Sequence, residues 1–156
     1  ADGNYLYSAE TGTPFQVSIG IAGYPNNASL HAINTLQAKI QEGGSWIITQ
    51  MLFSASEFLD FKNRILEHGI TEPVIPGIRV ITNKRTLELV EKAFSVTIPE
   101  TLKKVMNEAR TPKEEHKAGI LFSQKLITAL FEIGAPVVHI FTMGRSQDVA
   151  DTLGGL

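Results

Sequence analysis

The 156-residue chain contains no cysteine. A disulfide framework, a thiolate metal site and a cysteine nucleophile are therefore excluded. No apolar run approaches the ~20 residues that a membrane-spanning helix requires. The first ten residues, ADGNYLYSAE, also lack the basic start and apolar segment of a signal peptide. These features predict a protein of the cytoplasm or of an organelle matrix, without a membrane span.

The chain also lacks an excess of positive charge, since its formal net charge is -2. The densest basic segment, residues 103–117, is diluted by Glu108, Glu114 and Glu115. This mixture is typical of a solvated helical face rather than of a nucleic-acid interface. We therefore expect no nucleic-acid partner.

Four short apolar segments recur along the chain, and their nearly continuous hydrophobicity is typical of strands covered on both faces. They are Phe15–Ala22, Trp46–Phe53, Pro73–Val80 and Pro136–Met143. Helical patterns separate them, and the third connection is longer, with helices opened by Pro99 and by Thr111-Pro112. This alternation predicts one α/β domain over residues 1–156 with a parallel sheet. Periodicity leaves two architectures open, a doubly wound sheet and half of an eight-stranded barrel.

In both architectures ligands bind at the carboxyl ends of the strands. Those ends carry Ala22-Gly23-Tyr24-Pro25, Thr49-Gln50-Met51, Arg79 followed by Thr82-Asn83, and Thr142-Met143-Gly144-Arg145. No acidic residue lies at a strand end, the four histidines lack metal-ligand spacing, and the glycine-rich phosphate-binding motifs are absent. The residues alone thus predict a polar binding face without a catalytic residue or a metal.

Two of these side chains have alternative interpretations. Gln50 is an amide within an apolar strand, so it either bonds the neighbouring backbone or points into the site to bond the edge of a heterocycle. Tyr24 either packs over the mouth of the sheet or reaches a ligand phosphate or sugar with its hydroxyl. Gly23 beside it permits close approach of the backbone.

Five motifs occur together in one order and spacing. They are IAGYP (Ile21–Pro25), K-x-x-x-G-G-x-x-I-I-T-Q (Lys39–Gln50), I-P-G-I (Ile75–Ile78), I-P (Ile98-Pro99) and H-x-F-T-M-x-R (His139–Arg145). From about Phe15 to Leu156 the chain resembles the methylenetetrahydrofolate reductase family. The resemblance implies a (β/α)8 TIM-type barrel, with this chain supplying four β/α units as strands five to eight.

The resemblance also implies an oxidoreductase activity. In the family, FAD bound at the carboxyl face takes a hydride from NADH or NADPH and reduces methylenetetrahydrofolate to methyltetrahydrofolate. By position, Ala22 and Tyr24 are expected to lie along the flavin cofactor, and Lys39 to meet its phosphate region. Gln50 is expected to bond the folate pterin, at the place where the nicotinamide also stacks.

Several positions depart from the family pattern. An aspartate expected one helix face before Lys39 falls on Ala32, the acid after the ITQ strand falls on Ser54, and an aromatic residue that covers the folate falls on Val90. The family's acid–base glutamate comes from the first four strands, so we expect no catalytic residue within this chain.

The chain begins at Ala1 rather than at methionine, which indicates a processed product or a fragment. Four β/α units would leave two strand edges unpaired, so we expect the missing barrel half or a host complex as a partner. Three hypotheses follow. The chain is part of a folate-reducing flavoenzyme, or a degenerate, non-catalytic barrel half that serves as a structural subunit, or a folate-binding module without flavin.

Overall fold

The computed structural model describes residues 17–27 and 29–156, in which the chain forms four strands and six helices. In chain order these are β1 Ile19–Gly23, α1 Leu30–Gln41, β2 Gly44–Met51, α2 Ala55–Glu67, β3 Val74–Ile78, α3 Lys84–Phe94, α4 Glu100–Glu108, α5 Pro112–Glu132, β4 His139–Ile140 and α6 Ser146–Leu153. The predicted alternation of strands and helices is confirmed. Among these helices, none has the length and apolar character needed to cross a bilayer.

The strand order of the sheet distinguishes between the two architectures that the sequence left open. Its strands run parallel in the order β1-β2-β3-β4, so each strand lies beside the next one in sequence. A doubly wound sheet reverses its order at a switch point and carries helices on both faces, whereas a barrel adds its strands in sequence and keeps the helices outside. The predicted half-barrel of the TIM type is therefore confirmed.

One apolar core lies between the sheet and three helices. Buried residues of α1, α2 and α5 pack with residues of β2 and β3 in a single cluster, so these helices cover the same face of the sheet. The cluster includes Ile33, Leu36, Phe58, Phe61, Leu126 and Leu130 from the helices, and Ile47 and Ile78 from the strands. Burial of these side chains contributes roughly 1.5–3 kcal/mol each, before the entropy of ordering them is subtracted.

A second core lies beneath α3 and α4 and includes Met51, Phe53, Leu87, Val90, Leu102 and Met106. Val90 has no exposed surface. It is therefore a packing residue and offers no surface to a ligand at the position where an aromatic residue was expected.

Side-chain caps stabilise the first turns of three helices. The side chains of Ser29, Asn83 and Thr111 accept hydrogen bonds from backbone N–H groups in the first turns of α1, α3 and α5, at 3.3, 2.8 and 3.2 Å. These bonds satisfy donors that would otherwise lack a partner. The start of α2 lacks such a bond. Ser54 occupies the cap position, but its hydroxyl lies 2.7 Å from that of Ser56 and makes no cap bond.

The outer strands are shorter than predicted. β4 covers only His139–Ile140, because it pairs with β3 alone and the backbone turns away at Met143, where φ is +48°. β1 starts at Ile19, and residues 15 and 16 of the predicted strand lie outside the described residues.

A β-bulge interrupts the central pair of strands. Ile48 pairs with Ile75 and Met51 with Gly77, so three residue steps on β2 oppose two on β3. Pro76 lies in the interrupted stretch and has no N–H to donate to a neighbouring strand. The Gly77 N–H instead donates to the buried Thr49 hydroxyl at 2.8 Å. A side chain at Gly77 would collide with the Thr49 carbonyl, so the I-P-G-I and I-T-Q motifs form one structural unit.

Replacing Thr49 with valine is expected to destabilise the fold by about 1–3 kcal/mol, because the shape is kept while the buried Gly77 N–H loses its acceptor. The control Thr49→Ser keeps the hydroxyl. Amide hydrogen exchange at Gly77 measures the difference. The exchange should accelerate in the valine variant only, and equal protection in both variants would contradict the bulge arrangement.

Candidate functional site

A cavity of about 190 Å³ opens between the carboxyl end of β1 and the helix α1. Three residues singled out from the sequence, Ala22, Tyr24 and Lys39, all line it. The strand brings Ala22 and Tyr24 to the rim, and Lys39 reaches it from the last turn of α1. The structure therefore brings together side chains as far apart in sequence as Ala22 and Lys39.

The wall formed by α1 is mostly uncharged. Ala32, Thr35, Leu36 and Lys39 follow the three- and four-residue spacing that places side chains on one helical face. Within the described residues, no carboxylate lies within 4.0 Å of the Lys39 ammonium. The cavity thus carries the positive charge of Lys39 beside the Tyr24 hydroxyl, whereas the Thr35 hydroxyl donates its proton to the His31 carbonyl at 2.9 Å and can only accept. The ammonium and the Tyr24 hydroxyl suit a phosphate or a sugar, and Ala32 supplies none of the acceptors that a carboxylate would.

Gln50 does not line this cavity, although it lies on the adjacent strand end. Gly23 pairs with Thr49 in the β1–β2 register, so Tyr24 and Gln50 each follow one position later. Gln50 is half-buried in the bulge, and its Oε1 accepts a hydrogen bond from the Met51 N–H at 2.9 Å. The bond to neighbouring backbone is therefore present, and the bond to a ligand stays a prediction.

A buried carboxylate, Asp148, lies at the ends of β3 and β4 and was not predicted. Its Oδ2 accepts hydrogen bonds from the Thr82 hydroxyl at 2.9 Å and from Arg145 Nε, while His116 Nε2 lies 3.4 Å from Oδ1. Arg145 Nη2 also donates to the Thr82 hydroxyl at 2.9 Å. Asp148 lies on α6 rather than on a strand, so an inspection of strand ends misses it. Its spacing of three from Arg145 was the available signal.

The network holds Asp148 ionised. Burial alone would raise the pKa of this carboxyl, but the hydrogen bonds from Arg145 and Thr82, together with the charges of Arg145 and His116, lower the pKa below its ordinary value of 3.8. Because the pKa of Asp148 is lower in the folded state, the network stabilises the fold at pH values above the pKa of the unfolded chain. This stability is lost as the pH falls below about 3.8.

Asp148→Asn is expected to lower the free energy of unfolding at pH 7 by about 1–3 kcal/mol, since charge-assisted bonds to a buried group are lost. Urea unfolding measures the change. Asp151→Asn is the matched control, because Asp151 lies 3.5 Å from the same histidine but is exposed, and it should cost less than about 0.5 kcal/mol. Equal effects of the two substitutions would refute the assigned role of Asp148.

A second cavity, of about 380 Å³, adjoins the first across Phe61, which lines both. It contains Glu57, Asp60 and Arg64 from α2. Burial raises the pKa of Glu57 to about 7, and a backbone hydrogen bond at Phe53 opposes the shift. Glu57 therefore changes its charge near neutral pH. In the described part of the chain, no cluster of three or more His, Cys, Asp or Glu side chains could hold a metal ion.

Glu57→Gln is expected to remove a pH dependence. The raised pKa means that the folded state binds more protons than the unfolded state, so wild-type stability falls as the pH rises from about 4.5 to about 7. The variant should be more stable than the wild type by about 1 kcal/mol at pH 8, a value reduced by solvent screening of the half-buried group, and equally stable at pH 4. Thermal unfolding at both pH values measures this. Glu67→Gln, at the exposed end of α2, should show no such difference.

A sequential parallel half-barrel with a cavity beside the carboxyl end of its first strand belongs to the (β/α)8 class, in which ligands bind at this end of the barrel. A family model described as methylenetetrahydrofolate reductase matches residues 8–154. The chain belongs to the methylenetetrahydrofolate reductase family, as its five motifs predicted.

Three curated relatives illustrate the match. The chain is 31% identical over 146 residues to a probable methylenetetrahydrofolate reductase (NADPH) of Caenorhabditis elegans, covering 89% of this chain and 22% of that protein. It is 26% identical to the 5,10-methylenetetrahydrofolate reductase of Pectobacterium carotovorum subsp. carotovorum, covering 87% and 49%. It is 25% identical to a probable methylenetetrahydrofolate reductase (NADH) of Oryza sativa subsp. japonica, covering 88% and 26%. The chain therefore spans half or less of the length of these relatives.

A solved structure shares the fold. It is an uncharacterized protein from Clostridium thermocellum, described as binding two copies of 5-methyl-5,6,7,8-tetrahydrofolic acid. The TM-score is 0.59 at 16% identity, and the match covers 87% of this chain and 52% of that one.

Proposed function

We propose that this chain, as a single domain over residues 1–156, supplies one half of a methylenetetrahydrofolate reductase-like flavoenzyme. The reaction would reduce methylenetetrahydrofolate to methyltetrahydrofolate with NADH or NADPH, through FAD. One observation carries the proposal. Ala22, Tyr24 and Lys39, which the family resemblance assigns to the cofactor, line one cavity, and Gln50 lies on the neighbouring strand end.

The cavity fits part of FAD rather than the whole molecule. Its volume of about 190 Å³ is below the roughly 300–1,000 Å³ of sites that enclose a complete ligand. Lys39 would hold a phosphate through its positive charge, and the Tyr24 hydroxyl would donate to a phosphate or sugar oxygen. Thr35, whose proton is donated to the His31 carbonyl, would accept from a sugar hydroxyl. When bound, the flavin supplies hydride transfer, while the protein supplies its binding and orientation.

Gln50 would bind the folate. A primary amide pairs well with the donor and acceptor edge of a pterin. The fold shared with the Clostridium thermocellum protein, which is described as binding a methylated tetrahydrofolate, supports this assignment. The family resemblance takes the acid–base glutamate from the first four strands of the barrel, so we assign no catalytic residue to this chain.

The rest of the barrel would cover the open edges. In the described residues β1 pairs only with β2, and β4 only with β3, and apolar side chains such as Val17, Ile19 and Val137 are exposed beside these strands. Unpaired edges with apolar flanks favour further strand pairing. We propose that the remaining barrel half, in the same polypeptide or in a host complex, provides those strands.

The absorption spectrum of the full-length protein tests the proposed reaction. We expect flavin bands that bleach when NADH or NADPH is added anaerobically and return when methylenetetrahydrofolate is supplied. A protein purified natively without flavin bands, which also fails to bind added FAD, would rule the proposal out.

Lys39→Met is expected to weaken FAD binding by about 10-fold, as the loss of a charge-assisted bond of ~1.5 kcal/mol implies. Flavin fluorescence during titration measures the dissociation constant. Lys92→Met, on the exposed side of α3, is the matched control and should leave the constant unchanged. Equal dissociation constants of the two variants for FAD would show that Lys39 does not bind the cofactor.

A second candidate is folate binding without flavin. Ala32 favours it, because the cavity presents a methyl group where the family has a carboxylate toward FAD. A colourless protein that still binds methyltetrahydrofolate would select this function. A protein that binds neither ligand would select the non-catalytic structural subunit.

A further inference from the structure

An apolar groove lies on the helical side of the sheet, where α2, α4 and α5 meet. The first half of α5 packs against α4, since a side chain at Gly119 would meet Met106 at 3.0 Å. The second half of α5 packs with α2 in the first core, through Leu126 and Leu130. A cavity of about 570 Å³ remains between α2 and α4, and Phe122, which lines it, packs against both cores.

The groove has the size and the lining of a small-molecule site. Its volume falls within the roughly 300–1,000 Å³ that is typical of such sites, and it exceeds the cavities of about 190 and 380 Å³ described above. The buried Phe53 lies at its base, and the short side chains of Ala55, Ala118 and Ala129 leave the space open. From Ala118 to Ala129 the wall formed by α5 extends about 16 Å, at ~1.5 Å per residue, so the groove is elongated.

A single positive charge borders this apolar surface. Among the described residues that line the groove, Lys125 is the only charged one, and no described carboxylate lies within 4.0 Å of its ammonium. One helical turn before it, Leu121 leaves 46% of its surface exposed. Glu57, the first acid of α2, lines the second cavity instead. Apolar surface in water beside an unpaired ammonium suits a molecule with an apolar body and an anionic group.

We propose that this groove binds a medium-chain aliphatic carboxylate, with its chain along Leu121 and Phe122 and its carboxylate at Lys125. The apolar walls would remove the chain from water, and a charge-assisted hydrogen bond from the ammonium would hold the carboxylate at the rim. The elongated shape favours an extended chain over a compact ring. The groove shares no lining residue with the cavity beside β1, so this proposal goes beyond the proposed function and does not depend on it.

Calorimetric titration of the full-length protein with three probes of equal chain length tests the proposal. The probes are decanoate, decyltrimethylammonium and 1-decanol, each kept below the concentration at which it aggregates. We expect decanoate to bind at one site, about 10-fold more tightly than either of the other probes. The ammonium probe meets the like charge of Lys125, and the alcohol lacks the charge-assisted bond.

Three variants test the contacts. Lys125→Met should weaken decanoate binding by about 10-fold without changing the decanol constant, and Lys125→Glu should reverse the order of the two ionic probes. Both substitutions change an exposed side chain, so the fold should be retained. Ala129→Phe places a ring in the groove and should weaken the binding of all three probes. Lys113→Met, at the exposed start of the same helix, is the matched control and should leave every constant unchanged.

The possible failures are distinct. Equal decanoate constants of the wild type and Lys125→Met would show that the carboxylate does not bind at Lys125. Decanol that binds as tightly as decanoate would show a site without preference for an anion, and unchanged binding in Ala129→Phe would place the ligand elsewhere. If the wild type binds no probe, another part of the protein covers the groove or no ligand enters it. Each of these results overturns the proposal and leaves the flavin and folate tests unaffected.

Discussion

Pro76 interrupts the middle of the sheet, and the strand ends around it are arranged to accommodate that interruption. A proline within an inner strand removes one donor from the ladder. The bulge in β2, the Thr49 hydroxyl and the absence of a side chain at Gly77 compensate together. Bulges re-aim the side chains near them, and Gln50 is the side chain in this bulge. The position of Gln50, the candidate folate residue, therefore depends on a bulge that spans two residues of β2, Thr49 and Gln50.

Much of the secondary structure was predictable because the signals are local. Helices separate the four strands as predicted, and Thr111-Pro112 opens the long helix α5 as expected. The strand order was not predictable from periodicity, because buried strands of a doubly wound sheet and of a barrel have the same pattern. The extent of β4 was also missed, since the length of an edge strand depends on its neighbour and on the turn at Met143.

The residues of the candidate site also fall into two groups, those that sequence motifs predicted and those that only the tertiary structure shows. Ala22, Tyr24 and Lys39 came from motifs shared with the family, and the fold places them around one cavity. Asp148 and Glu57 were missed because both lie in the first turns of helices, and only the tertiary structure shows their burial. A carboxylate at such a position looks like an ordinary helix-start residue in the sequence. Its environment depends on residues that lie far away in the chain, such as Thr82 and His116 around Asp148.

The bond between Gln50 and its own strand has a stereochemical consequence. The Met51 N–H is a donor, so the amide atom that meets it must be the oxygen, and the orientation of the amide is determined. The NH₂ group and the second lone pair of Oε1 then remain for an incoming molecule, in a fixed order along the amide edge. A heterocycle whose acceptor and donor match that order pairs with both atoms at once. A heterocycle with the reverse order must turn the amide over, which leaves the Met51 N–H without its acceptor at the desolvation cost of one buried donor.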